Sequence, residues 1–227
     1  MGKRIENLKK EIDLKKEYTI EEAVKILKEK SNAKFDETVE LHIRLGIDPK
    51  KADQNVRGAI PLPHGTGKKV RVAVIAKGEK IFEAKESGAD IVGSTELIDE
   101  IAKGKIDFDV LVVTPDVMKD IAKLGKILGP KGLMPNPKTG TVTFDIKNVV
   151  KEIKAGRVEF KNDSFGIVHV PCGKKSFDEK ALIENINAII DSIIKAKPQT
   201  SKGKYIISAH LATTMGPGLK LKLTKEI

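Results

Sequence analysis

Two kinds of segment in this chain could do chemistry, and both suit a partner rich in phosphate and hydroxyl groups. The first runs from Leu124 to Gly140. It holds four glycines (Gly125, Gly129, Gly132, Gly140), three prolines and three lysines (Lys126, Lys131, Lys138), with no acid and no aromatic residue. Such a run offers backbone N–H groups and ammonium charges together, the ingredients of a phosphate cradle. It predicts a loop, ordered or flexible, that cannot continue a preceding helix. The second kind is a pair of segments, Ala33-Lys34-Phe35-Asp36-Glu37-Thr38-Val39-Glu40 and Ala212-Thr213-Thr214-Met215-Gly216-Pro217-Gly218. Hydroxyls, a pliable thioether and two glycines around a proline would let a ribose–phosphate backbone approach closely. The hydroxyls would bond 2′-OH or phosphate groups, and Met215 would pack on a base or sugar. Taken alone, the same stretch reads first as a plain hairpin loop.

Nucleotide catalysis is tested by motif and fails. A phosphate-binding Walker loop needs G-x-x-x-x-G-K followed by Ser or Thr, between a strand and a helix. Gly65-Thr66-Gly67-Lys68-Lys69 has the ending but lacks the upstream glycine and precedes a strand, while the 124–140 run has no G-K-[ST]. No G-x-G-x-x-G opens a helix after the first buried strand. Asp107, Asp109 and Asp116 flank a strand and could hold magnesium, but such acids are more often solvated turn residues. The single Cys172 excludes an internal disulfide and any multi-cysteine metal site. His169 and Cys172 could share a metal only with ligands from elsewhere, and read instead as ordinary strand residues.

Composition narrows the partner. The 227 residues allow one large domain or two of ordinary size, each able to bury a core. The net charge is +10, with lysine supplying 37 of 42 basic residues. Lysine is a point charge for phosphates and a poor bidentate reader of bases, so the charge favours backbone attraction. Phe35 is one of nine aromatic residues, and no stacking pair of the kind an RNA-binding sheet offers is evident. Recognition is therefore expected to rest on RNA shape and polar contacts. No apolar run reaches the ~18 residues that cross a bilayer, and the start of the chain lacks the apolar core of a signal peptide. A cytoplasmic location without membrane association is expected.

The elements that must position these residues are legible in part. A short polar arm is expected over 5–13. Thr19-Ile20-Glu21-Glu22 is a capping box opening a helix. Val39, Leu41, Ile43 and Leu45 alternate with Glu40, His42 and Arg44, a half-buried strand with a wet face. Pro61, Pro63, Gly65 and Gly67 mark a break. Buried strands near 70–76, 90–92 and 109–113 then alternate with helices near 80–87, 95–104 and 116–124, which predicts a parallel α/β arrangement. A short strand is expected over 141–144 and a helix over 146–155. A hairpin over 158–170 should turn at Asn162-Asp163-Ser164. Ser176-Phe177-Asp178-Glu179 reads as a second capping box before a long helix stopped ahead of Pro198. Strands over 205–211 and 219–223 end the chain. The two ends look alike and the middle differs. The expectation is α/β and α+β: a split α+β domain from both termini (1–66 and 159–227) with an inserted Rossmann-like three-layer α/β domain (67–158).

Several blocks carry a family resemblance. They are Ala33 to Glu40, Gly46-Ile47-Asp48-Pro49, Asp53-Gln54-Asn55-Val56-Arg57-Gly58, Leu62-Pro63-His64-Gly65, the 124–140 run and Thr213-Thr214-Met215-Gly216-Pro217. In this order they resemble the large-subunit ribosomal protein family numbered first, the L-one family of the mobile side stalk, in its bacterial form. The resemblance implies an rRNA-binding, non-enzymatic constituent of the ribosome with large-subunit rRNA as its main partner. It also implies help in releasing exit-site tRNA, and repression of its own operon mRNA. No cofactor or metal is expected, and the free protein is expected to be a monomer. Carried over by residue, the RNA contacts fall on Lys34, Phe35, Thr38, Glu40, Lys161, Asp163, Ser208, Thr213, Thr214, Met215 and Gly216. The acids would accept from 2′-OH or base amino groups, or hold a neighbouring lysine. Lys126, Lys131 and Lys138 become a secondary basic loop. The readings set against this are a Rossmann-type nucleotide-dependent enzyme and a generic basic chaperone of nucleic acid.

Overall fold

The structure, a computed structural model, describes residues 5, 8, 10–13 and 15–222. The protein is mixed α/β and divides into two units. One runs to Gly67 and resumes at Val158, and the other is Lys68–Arg157.

The unit built from both ends of the chain begins with β1 (Glu17–Tyr18) and α1 (Ile20–Lys30). The Thr19 hydroxyl accepts the Glu22 N–H at 3.2 Å while the Glu22 carboxylate accepts the Thr19 N–H at 3.1 Å, so the capping box forms in full. The long strand β2 (Thr38–Leu45) follows, then β3 (Arg57–Pro61).

Beyond Gly67 the second unit is a three-stranded parallel sheet, β4 (Val72–Ile75) between β5 (Ile91–Gly93) and β6 (Val110–Val113). All four residues of β4 are buried, because apolar clusters lie on both faces. The clusters draw on α2 (Lys80–Glu86), α3 (Thr95–Ala102), α4 (Met118–Ala122), α5 (Gly125–Leu128) and α6 (Ile146–Ala155). Asp109 does not stand open for a magnesium ion. Its carboxylate binds Lys68 Nζ at 2.8 Å and the Arg71 N–H at 3.0 Å, and these partners hold its pKa below the usual range.

The first unit resumes one residue into β7 (Arg157–Lys161) and continues with β8 (Ile167–Lys174), α7 (Glu179–Lys195), β9 (Ile206–Thr213) and β10 (Leu219–Leu221). Its main sheet has the order β1-β10-β9-β2-β8, antiparallel except where β1 runs parallel to β10. Leu41 and Ile43 of β2 face a core that Leu27 of α1 and Leu182, Ile186, Ile189 and Ile193 of α7 share. Thr38, Glu40, His42 and Arg44 take the opposite face.

Four expectations change. The segment 158–170 is not a simple hairpin: β7 pairs with β3 in a separate two-stranded ribbon, β8 pairs with β2, and only the bridge Asn162–Val168 links the two. The second capping box does not form. Ser176 instead donates its hydroxyl and N–H to Asp36 (2.8 and 3.1 Å), and α7 starts after Asp178. The strand expected over 141–144 is reduced to one bridge, Val113–Val142. The 124–140 run is not simply a loop: it contains α5 and a 3₁₀ turn over Pro137–Thr139. Leu128 is fully buried, and Leu133 and Met134 pack on the same cluster. Part of the arm over 5–13 and Leu223 of the last expected strand lie outside the described residues.

Candidate nucleic-acid interface

The residues singled out on the termini-built unit fall into two groups at opposite ends of β2. One is gathered by Glu37, a carboxylate with no exposed surface just before the strand. It accepts hydrogen bonds from the Met215 N–H at 2.9 Å, the Ala33 N–H at 3.3 Å and, very closely, the Ser31 hydroxyl. Burial pushes this carboxyl's pKa up, but the donors outweigh it and hold it below the ordinary value of 4.5. The charge thus ties the 213–216 turn to the segment entering β2. The backbone adds to this. The Thr38 N–H donates to Thr214 Oγ1 and the Thr214 N–H to the Thr38 carbonyl, each at 3.0 Å. A β-carbon on Gly216 would stand 2.3 Å from Thr213 Oγ1, so only glycine closes this turn without a shift.

What remains at the surface is short-range and chemically mixed. Phe35 is 53% and Met215 47% exposed, and Lys34 and Thr214 are exposed beside them. Lys174 Nζ donates to Thr38 Oγ1 at 2.8 Å. The result is an aromatic face, a thioether, two hydroxyls and two ammonium groups within one patch. Such a set can stack a base, bond a ribose hydroxyl and compensate a phosphate. Thr213 differs from its neighbours: at 4% exposure its side chain supports the turn and does not reach the surface.

The other group lies toward the far end. Arg44 of β2 pairs in register with Ser208 of β9 on one side and Ile167 of β8 on the other. Six residue steps separate Thr38 from Arg44, so the two ends stand about 20 Å apart. Asp163 shapes the turn before β8: its Oδ1 accepts the N–H groups of Phe165 and Ile167, both at 2.8 Å. Burial raises this carboxyl's pKa and those N–H groups lower it, with a net lowering. Phe165 stands 77% exposed at the tip. Lys161 ends β7 and is exposed. Lys126, Lys131 and Lys138 are exposed on the Lys68–Arg157 unit.

Between the two groups lies a feature that motif reading passed over. His169, His42, His210, Lys220 and Glu17 are cross-strand neighbours on β8, β2, β9, β10 and β1, forming one row across the sheet. His42 Nδ1 and His169 Nδ1 are 2.8 Å apart. Lys220 closes the row on Glu17 at 2.7 Å.

Several blocks that look distinctive in the sequence prove to be scaffold. Asn162 accepts the Val56 N–H at 2.8 Å and donates to Asn55 Oδ1 at 3.2 Å, while Gly58 is packed under the Phe160 ring, where a β-carbon would be 2.7 Å from it. Asn185, buried on α7, accepts the His64 N–H and donates to the carbonyls of Gly65 and Cys172 at 3.1, 3.0 and 2.8 Å. Cys172 is buried on the face opposite His169, and burial drives its thiol pKa up, so it is not a ligand partner for that histidine. Among the described residues no group of three His, Cys, Asp or Glu side chains is placed to hold a metal. Nor is any described helix long and apolar enough to cross a membrane.

Residues 27–217 match the sequence profile of the family described as Ribosomal protein L1p/L10e. The chain is also similar to the Large ribosomal subunit protein uL1 of Kosmotoga olearia, 55% identical over 226 residues that cover 100% of this chain and 98% of that protein.

Proposed function

From the chain's membership of the Ribosomal protein L1p/L10e family, we propose that it is a constituent of the large ribosomal subunit that binds side-stalk rRNA. The unit made from the two ends of the chain, near 1–66 and 159–227, acts as the RNA-binding domain. The segment near 67–158 acts as an inserted α/β domain. The observation that carries this reading is the patch at the start of β2, where the buried Glu37 holds the 213–216 turn against the segment bearing Lys34 and Phe35. Lys34, Phe35, Thr38, Thr214, Met215 and Gly216 make the primary contact, with Thr213 beneath them. Glu40 on the open face and Asp163, Lys161 and Ser208 toward the far end extend it. Acids in such a site accept from 2′-OH or base amino groups. Lys126, Lys131 and Lys138 lie on the inserted domain and make at most a secondary contact. Assistance in releasing exit-site tRNA and repression of its own operon mRNA belong to the same reading, since a patch fitted to folded RNA suits an mRNA of similar shape.

Filter binding of a side-stalk rRNA transcript against an arbitrary RNA duplex of equal length, across a salt series, tests the proposal. Fragment-specific binding supports it. Equal affinity for both RNAs with a steep salt slope would point instead to a generic polyanion binder. Replacing Thr214 or Met215 by alanine should weaken transcript binding by ~1–3 kcal/mol and leave the thermal melt in place. Unchanged binding in both variants would remove the turn from the contact.

A further inference from the structure

The row of histidines across the main sheet is absorbed by neither the scaffold nor the patch. His42 lies four residues from Thr38 and two from Arg44 on the outward-facing register of β2. It is flanked in register by His169 and His210. An RNA that touches both the 213–216 turn and the Asp163 turn must pass over this row, because the same strands carry both ends. The row is therefore placed where a backbone phosphate would come closest to the sheet.

We propose that His169, His42 and His210 form a phosphate-facing strip of the RNA interface, which makes RNA binding proton-linked. The inference rests on the rRNA-binding reading above and adds to it a specific surface and a form of regulation. Two Nδ1 atoms 2.8 Å apart hold one hydrogen between them, so one ring donates and the other presents a lone pair. While that contact persists the pair carries at most one positive charge.

The groups facing it are all identifiable. On β2 they are Glu40, whose carboxylate is 3.9 Å from His42 Nε2, and Arg44. Beside β8, Asp163 lies 3.5 Å from His169 Nε2, and Lys174 sits at the strand's end on Thr38. From β9 comes His210, from β10 Lys220 and from β1 Glu17, the last two paired with each other. In the free protein, burial, then His169, lowers the pKa of His42, with His210 adding to this and Glu40 opposing it. Burial and Lys220 lower that of His210. Both rings are thus neutral above the ordinary value of 6.5. A phosphate over the row favours the protonated form, so binding draws a proton as pH falls.

The test uses the full-length chain and the side-stalk transcript at constant ionic strength. The unaltered protein should bind roughly three- to tenfold more tightly at about pH 5.5 than at about pH 8, with a dependence no steeper than one proton from the pair. The double variant His42→Gln, His169→Gln should lose most of the gain, its affinity at the lower pH rising little above its own affinity at the higher one. Thr214→Ala should bind more weakly at both pH values yet keep the gain. A pH-independent affinity in the unaltered chain, or a gain retained in the double variant, would overturn the inference while leaving the rRNA reading intact. No transcript binding at either pH would remove both.

Discussion

Glu37 shows how much one residue can organise. It is not the exposed acid that an RNA contact would use, but the buried one that gathers a turn from the far end of the chain. Its charge is stabilised by hydrogen bonds in the folded state, so its folded pKa lies below its unfolded one. The sign follows: Glu37 contributes stability that is fully present above the ordinary value of 4.5 and is lost as pH falls through the lowered folded pKa. In Glu37→Gln an amide oxygen can still accept the Met215 N–H, but the charge is gone and the amide brings donors into a cluster of donors. The variant should be less stable than the unaltered chain at neutral pH by ~1–3 kcal/mol. That gap should close in acid, which urea titrations at a series of pH values would read. Glu37 was visible in the sequence as one letter of AKFDETVE, yet burial cannot be read from a letter. Lys174 and the exposed Phe165 were missed for a related reason, since what marks them is their neighbours across the sheet and at a turn.

At the scale of elements, local signals were reliable where they were self-contained. The capping box at Thr19 and the alternation of β2 need only residues within one turn or one strand, and both formed as read. The capping box at Ser176 failed because a distant carboxylate, Asp36, competes for the same hydroxyl. The chain does turn at 162–164, but its arms pair no further than one antiparallel bridge because β3 and β2 each take one of them. The glycines and prolines of the 124–140 run predict a loop, but its apolar residues Leu128, Leu133 and Met134 anchor it. At Gly140 the φ is 70° and a β-carbon would meet Arg157 Nη2 at 2.6 Å, while that guanidinium donates to the Thr139 carbonyl at 2.5 Å. The glycines there serve folding as much as approach to a ligand. Asn185 is the clearest element-level tie, with three hydrogen bonds, two of them buried, joining α7 to the 62–65 turn and to β8. Asn185→Ala should cost about 3 kcal/mol of unfolding free energy by leaving buried groups unpaired. A shift in the denaturant midpoint, with unchanged slope, is the measurement.

At the scale of the whole molecule, each unit has its own apolar clusters, one for the sheet built from both termini and two for the parallel sheet. Separate cores predict separate folding. A fragment spanning 68–157 should give a cooperative thermal melt by circular dichroism. Although it carries Lys126, Lys131 and Lys138, it should leave the side-stalk transcript unbound in filter assays. Transcript binding by that fragment at the affinity of the full chain would move the primary site to the basic run.

The sequence by itself determined most of the helices and long strands, the polar face of β2, the basic charge and the family, because these depend on residue type and short-range spacing. It also brought the 33–40 and 212–218 segments into view as separate stretches. Only the tertiary structure decided that residues 38 and 214 are hydrogen-bonded neighbours, that Glu37 is the buried link between them, and that three histidines from three strands stand in one row. Strand pairing sets those relations, and pairing is a choice among distant partners that the period-two pattern of each strand leaves open.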